Sequence, residues 1–239
     1  MKKLILAPFF ALLVLSCSSK NKGEPNLLPL LGESGTADLT DEGSEKNYDA
    51  LTLLRRGEQF YDKEDYPEAI GEYQRFLDLH PMNRLAPYVQ FRLGMAYYHQ
   101  IGTIDRDQEP AQRALSAFER LQNEFPNSLY GDQAREKIAG IKERLSQRQF
   151  DVGYFYYKRG AYPAAIARFG KVIEENERPS LKGEALYYSG LSHLRLGKEQ
   201  EAIRLLREFL EVSPESPRRS EVTRLLGRIE GSSRLSRLF

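Results

Sequence analysis

From residue 47 onward, apolar residues recur at intervals of three and four, and no stretch alternates with period two for long. That pattern predicts helices and no sheet. It also repeats itself. A glycine is followed twelve positions later by Ala and twelve later again by Pro, at Gly57, Ala69 and Pro81 and at Gly190, Ala202 and Pro214. Ala114 and Pro126 keep the spacing, with Gly94 displaced by an insertion of eight residues. Gly153 and Ala165 keep it too, with Pro179 just beyond the expected place. Large residues fill matching offsets: Phe60, Tyr97, Tyr156 and His193 after the glycines, and Tyr73, Phe118, Phe169 and Leu206 after the alanines.

This spacing resembles the tetratricopeptide (TPR) phase, in which a small residue on one helix meets a small residue on the next. The reason is steric. Antiparallel helices approach closely only where neither carries bulk, and large side chains just beyond fill the gap. Gly57, Ala69, Gly94, Ala114, Gly153, Ala165, Gly190 and Ala202 are therefore the expected packing residues. Proline closes each second helix. The fold expected is all-α, a TPR-like α-solenoid of about five helix pairs. Residues 128–159 carry a helical apolar stripe in which polar Gln149 fills one place and which no Pro interrupts, read as one long helix or as two meeting near Ser146. The segment 217–238 presents Val222, Leu225, Leu226 and Ile229 on one face and should cap the stack, fraying at Gly231 to Ser233.

The N-terminus is different. Lys2 and Lys3 precede an apolar run, Leu4 to Leu15, that is too short to span a bilayer and reads as an export signal. Val14-Leu15-Ser16-Cys17 resembles the lipobox of bacterial lipoproteins. The implied division is a lipoprotein signal over 1–16, a lipidated flexible tether over 17–46, and the helical solenoid over 47–239. Ser18 rather than Asp follows Cys17, so the implied address is the periplasmic face of the outer membrane. The tether is rich in Ser, Gly, Asn, Pro and acid, a composition that cannot bury enough surface to offset chain entropy. Its one apolar patch, Leu27 to Leu31, either docks on a partner or is merely a sticky spot.

Charge and cysteine count narrow the chemistry. Without Lys2 and Lys3, 33 basic residues stand against 34 acidic ones, which leaves no electrostatic footprint for nucleic acid. Cys17 is the only cysteine, so once it is lipidated neither a disulfide nor a thiolate site remains. The three histidines lie far apart, and no HExxH or Gly-rich phosphate loop occurs. The expectation is a protein that is not an enzyme and that carries no cofactor or metal beyond the lipid.

In a stacked array the first helices of each pair line one face. Counting from the key glycines places Tyr61, Phe91, Tyr98, Phe150, Tyr154 and Tyr157 on that face, a surface suited to an extended peptide. The alternative is that these rings are buried between neighbouring helices. The C-terminal arginines, Arg218, Arg219, Arg224, Arg228, Arg234 and Arg237, either meet acidic headgroups or partners or form a solvated helix face.

Longer blocks carry a closer resemblance. Asp105 to Gln108 leading into Ala111 to Leu121, then Phe125 to Tyr130, Lys142 to Leu145, and above all Tyr156 to Ala165, are similar to the BamD family of outer-membrane lipoproteins. The likeness runs from Cys17 to about Leu210 and includes the insertion and the long middle helix. It implies a part in the β-barrel assembly (BAM) machine. Implied partners are a BamA-like barrel protein at the C-terminal helix pairs, unfolded outer-membrane proteins in the N-terminal groove, and other lipoproteins of the same machine. Tyr187, Leu194 and Arg195 are the implied contacts for the barrel protein. The competing reading is another TPR lipoprotein, such as a pilotin for a secretin or pilus.

Overall fold

A computed structural model describes residues 48–102, 107–175 and 178–235. The signal, Cys17 and the tether lie outside the described residues, as do Asp105 and Arg106 of the family-like block. The described residues all fall in one unit, Thr40–Phe239. They form nine helices and no strand: α1 (Ala50–Asp62), α2 (Tyr66–Leu79), α3 (Ala86–His99), α4 (Glu109–Glu124), α5 (Gly131–Lys158), α6 (Tyr162–Glu175), α7 (Pro179–Arg195), α8 (Glu199–Val212) and α9 (Arg219–Leu235). Consecutive helices pack on one another: α1 with α2, α3 with α4, α5 with α6 and α7 with α8, each pair then leaning on the next. This is the expected all-α repeat architecture, in four pairs and a ninth, unpaired helix. The fifth pair of the sequence reading is shared between the first half of α5 and α9. The stretch 131–158 is one continuous helix, and α9 runs on through Gly231 to Ser233.

Local chemistry sets the boundaries. Asp49 caps α1, its carboxylate accepting from Leu51 N at 3.2 Å. Prolines sit in the first turns of α2, α3, α4 and α7, where a missing N–H costs nothing. The turns inside the pairs recur. Asp65 N donates to Phe60 O, Ala161 N to Tyr156 O and Lys198 N to His193 O, each at 2.9–3.0 Å, closing helix C-termini with a Schellman geometry. That closure needs a residue in the left-handed region. Gly160 (φ 75°) and Gly197 (φ 72°) supply it, whereas the first pair uses Glu64 (φ 62°). The turns between pairs recur as well, with Pro81, Pro126 and Pro214 directly after the C-caps His80, Phe125 and Ser213.

The repeat phase has a sharper physical content than small against small. Ala69, Ala114, Ala165 and Ala202 are fully buried. Each key glycine, however, receives the large side chain four residues after the alanine. A Cβ at Gly57 would lie 2.5 Å from the Tyr73 ring, one at Gly94 2.6 Å from Phe118, one at Gly153 2.8 Å from Phe169, and one at Gly190 2.9 Å from Leu206. The glycine is a socket for a ring or branched side chain, and the alanine lets the helix come close enough to seat it. The next glycine in this spacing, Gly227 on α9, has nothing within 4 Å of its Cβ position and lies exposed. The face of α9 that a second helix would cover, with Thr223, Arg224 and Gly227 exposed, is polar, as suits the end of a stack.

Candidate peptide-binding face

The first helices of the pairs also touch one another, in a fixed register. The residues one and four positions after a key glycine embrace the residue two before the next. In the N-terminal half these are Glu58 and Tyr61 on α1 around Arg92 on α3. Arg92 Nε donates to Glu58 Oε1 at 3.0 Å, its Nη2 lies 2.9 Å from Oε2, and its guanidinium stacks 3.5 Å over the Tyr61 ring. Tyr73 donates to Glu58 from α2 at 2.7 Å, and Tyr88 also bonds it. Glu58 and Arg92 are 0% and 1% exposed. Burial pushes the Glu58 carboxyl up, and Arg92, Tyr73 and Tyr88 pull it back. The charge is therefore paired and sealed.

In the C-terminal half the same register holds rings. Tyr154 and Tyr157 on α5 embrace Tyr188 on α7, with centroids at 4.9 Å and 5.1 Å. Phe150 extends the series, lying parallel to Tyr154 at 6.3 Å and edge-on to Tyr188 at 6.1 Å. Tyr154 and Tyr157 are near-parallel at 6.4 Å. Tyr188 also stacks on buried Phe169 at 6.0 Å, so the hub of the cluster rests on the core. Phe150, Tyr154, Tyr157 and Tyr188 are all half-buried: one side is held by protein and the other meets solvent. Cations rim them. Lys158 Nζ lies 5.3 Å over Tyr154, and the exposed Arg195 acts on the Tyr157 phenol, which burial otherwise pushes up.

The six ring positions expected to line a groove therefore divide. Tyr61 and Phe91 are buried, at 7% and 1% exposed, which corrects their expected place on an open surface. Tyr61 is covered by Arg92 and edge-on to Tyr66 and His99, and Phe91 by Phe118 and Tyr130. Tyr98 is half-buried apart from the other five, edge-on to His99 at 6.1 Å and with Lys137 Nζ 4.6 Å over its ring. Phe150, Tyr154 and Tyr157 are brought together. Of the residues implied for a barrel partner, Tyr187 is buried at 4% exposed and donates to Glu221 Oε1 on α9 at 2.6 Å, so it faces its own chain. Leu194 is half-buried in the α7–α9 core with Leu191 and Leu225, and Arg195 is the one that is exposed.

Sequence reasoning missed Tyr188, and it grouped Arg218 with the other C-terminal arginines without seeing its place against the rings. The signal was there: Arg92, Tyr188 and Leu225 all stand two positions before a key glycine, a place the groove register did not count. Arg218 is not on a solvated face. Its guanidinium lies 4.6 Å over Tyr187 and 5.6 Å over Tyr188, and its Nε donates to Glu184 at 2.9 Å. No described helix is long and apolar enough to cross a membrane.

Residues 58–227 match the model of the family YfiO, described as outer membrane lipoprotein. The chain is 35% identical over 153 residues to the outer membrane protein assembly factor BamD of Caulobacter vibrioides, covering 64% of this chain and 50% of that protein. BamD of Rickettsia prowazekii is 31% identical over 57% of this chain and 55% of its own length. BamD of Neisseria meningitidis serogroup A is 28% identical over 66% and 63%. The chain thus spans between half and two thirds of these relatives' lengths. Among solved structures, a MamA protein aligns over 71% of this chain and 94% of its own at 17% identity, with a TM-score of 0.29, too low to weigh further. With a family model that takes in every helix from α1 to α9 in whole or in part and BamD proteins of three genera aligned with it, the chain belongs to the BamD (YfiO) family of outer membrane lipoproteins.

Proposed function

We propose that this chain is a non-enzymatic assembly factor of the outer membrane. In this reading Cys17 carries the lipid that anchors it to the periplasmic face, and the helical array holds a BamA-like barrel protein while engaging unfolded outer-membrane proteins. Family membership and the names of its relatives support the assembly role. The observation that carries peptide engagement is the half-buried ring ladder, Phe150, Tyr154, Tyr157 and Tyr188.

The ladder suits an extended peptide for physical reasons. Rings already packed against one another lose little entropy when a ligand ring stacks on their open side, and their edges offer the geometry that aromatic pairs prefer. Lys158 and Arg195 at the rim can take a carboxylate, and the phenols can take backbone carbonyls. The place differs from the one expected. The resemblance implies the N-terminal groove, but there Tyr61 and Phe91 are buried and Tyr98 is the half-buried ring left, whereas α5 and α7 carry a cluster of four half-buried rings. Arg195, at the end of α7, is the exposed candidate for the barrel partner.

The test is binding of a fluorescently labelled peptide that ends in Phe, followed by anisotropy. Changing Tyr154 and Tyr157 together to Ala should weaken binding at least tenfold, since ring stacking of this kind contributes on the order of 1 kcal/mol per ring. Unchanged affinity would remove the ladder from the reading. Affinity purification of the full chain from detergent-solubilised membranes should recover a BamA-like barrel protein, and recovery of a secretin instead would sink the assembly role.

A further inference from the structure

The ladder is held from a third direction, by the turn that leads into α9. Arg218 is the residue immediately before that helix. Its guanidinium faces the two adjacent tyrosines of α7: it lies over the Tyr187 ring at 4.6 Å and the Tyr188 ring at 5.6 Å, and its Nη2 donates to the Tyr188 phenol at 3.3 Å. Two acids hold it there. Nε donates to Glu184 on α7 at 2.9 Å, and Nη1 lies 4.0 Å from Glu221 on α9. Glu221 in turn accepts from the Tyr187 phenol at 2.6 Å. Arg218 stays charged, held so first by its bond to Glu184. A planar guanidinium is the one side chain that can stack on a ring and bond a carboxylate and a phenol in the same plane.

Tyr188 is the only one of these rings that also touches the solvent-facing part of the ladder. It meets Phe150, Tyr154 and Tyr157 across the α5–α7 seam. Tyr187 meets Tyr188 at 5.0 Å but otherwise packs on buried Phe209. So contacts run from the start of α9 to Tyr154 and Tyr157 by way of Tyr188, directly through Arg218 in the turn before the helix and indirectly through Glu221 and Tyr187, and Arg218 is the direct link to Tyr188. We infer that Arg218 is a positioning residue for the peptide-binding rings: it fixes the plane of Tyr188, and so the position of α9 sets the affinity of the ladder. This rests on reading the ladder as the peptide surface. Its consequence is that anything that displaces the start of α9 lowers peptide affinity without touching the peptide, and by reciprocity a bound peptide resists that displacement.

Two measurements on the full chain separate this inference from the reading beneath it. The first needs no ligand. With ring-labelled tyrosine, NMR of Arg218→Met should shift the resonances of Tyr154 and Tyr157, which Arg218 does not touch, as well as those of Tyr187 and Tyr188. Shifts confined to Tyr187 and Tyr188, in a variant that still melts cooperatively, would overturn the coupling. The second uses the Phe-terminated peptide. Arg218→Met should weaken it on the order of fivefold, at the lower end of typical couplings between sites. Arg218→Lys, which keeps the charge over the rings but loses the fork to Glu184 and Tyr188, should fall between that variant and the parent. If the Tyr154/Tyr157 double variant loses the peptide and Arg218→Met does not, Arg218 has no positioning role and the peptide surface stands. If the parent chain fails to bind the peptide, the peptide surface falls, and the shifts at Tyr154 and Tyr157 alone decide the coupling.

Discussion

Two triads occupy one register in this molecule and do opposite things. Near the N-terminus, Glu58 and Tyr61 close around Arg92, and all three are buried. Toward the C-terminus, Tyr154 and Tyr157 close around Tyr188, and all three are half-buried. The backbone geometry is shared, since each triad joins positions one and four after one key glycine to position two before the next. What differs is what can be left facing water. An unpaired buried charge is costly, so the first triad is complete only when Tyr73 and Tyr88 also turn inward and seal it. A tyrosine ring is stable with one side wet, so the second triad can stay half open. The N-terminal half spends this position on holding α1 to α3, and the C-terminal half leaves it available for binding.

The largest expected effect breaks the first triad. Arg92→Met strands the Glu58 carboxylate in a site where burial already pushes its proton affinity up. The cost should be about 3–5 kcal/mol, seen as a lower denaturant midpoint. Adding Glu58→Leu should recover part of that loss, because it removes the stranded charge but leaves the buried Tyr73 and Tyr88 hydroxyls without their acceptor. Tyr188→Leu in the second triad should cost less, on the order of 1–2 kcal/mol, because it removes ring contacts but strands no charge. If Arg92→Met and Tyr188→Leu cost the same, the contrast between a sealed and an open triad is wrong.

How much of this could be read beforehand follows from which interactions are local in phase. The glycine–alanine spacing was legible because a close helix crossing tolerates so few side chains. That the glycine seats Tyr73, Phe118, Phe169 or Leu206, rather than meeting the alanine, depends on which way the second helix is rotated, and spacing alone leaves that rotation free. The same limit explains the groove. Tyr61 and Tyr157 stand at the same offset, and nothing local distinguishes them. Tyr61 is buried because Arg92, on a different helix pair, lies across it. Tyr187 looked available until α9 brought Glu221 to its phenol. Gln149, which breaks the apolar stripe of α5, accepts instead from Arg168 of α6 at 2.9 Å.

The second expected effect compares filled and empty sockets. Gly57→Ala would drive a Cβ to 2.5 Å from Tyr73, a fully buried ring with no room to retreat. A loss of about 1–3 kcal/mol should follow despite the better helix propensity of alanine. Gly227→Ala meets nothing on α9 and should instead gain up to about 1 kcal/mol. A loss at Gly227 comparable to that at Gly57 would show that the α9 socket is filled in solution.

The smallest effect concerns the turns that close the two halves. Seven positions after the key glycine the chain takes a positive φ, with Gly160 and Gly197 in the C-terminal half and Glu64 in the N-terminal half. A residue with a Cβ is disfavoured there by about 1–2 kcal/mol, so Glu64 carries a strain that Gly160 and Gly197 avoid. Gly197→Ala should therefore lower the midpoint of thermal unfolding, and Glu64→Gly should raise it. Both shifts should be smaller than the backbone strain alone would give, because glycine also has the more disordered unfolded chain, which opposes the gain at Glu64 and softens the loss at Gly197. Glu64 is exposed, so its substitution removes no buried contact, and the change isolates the backbone term. Equal and opposite shifts would mean that the same balance of strain and unfolded-chain entropy governs the turn in both halves. A destabilising Glu64→Gly would mean that the Schellman closure at Asp65 N and Phe60 O does not need a left-handed residue of glycine's freedom, and that the two halves close their turns by different means.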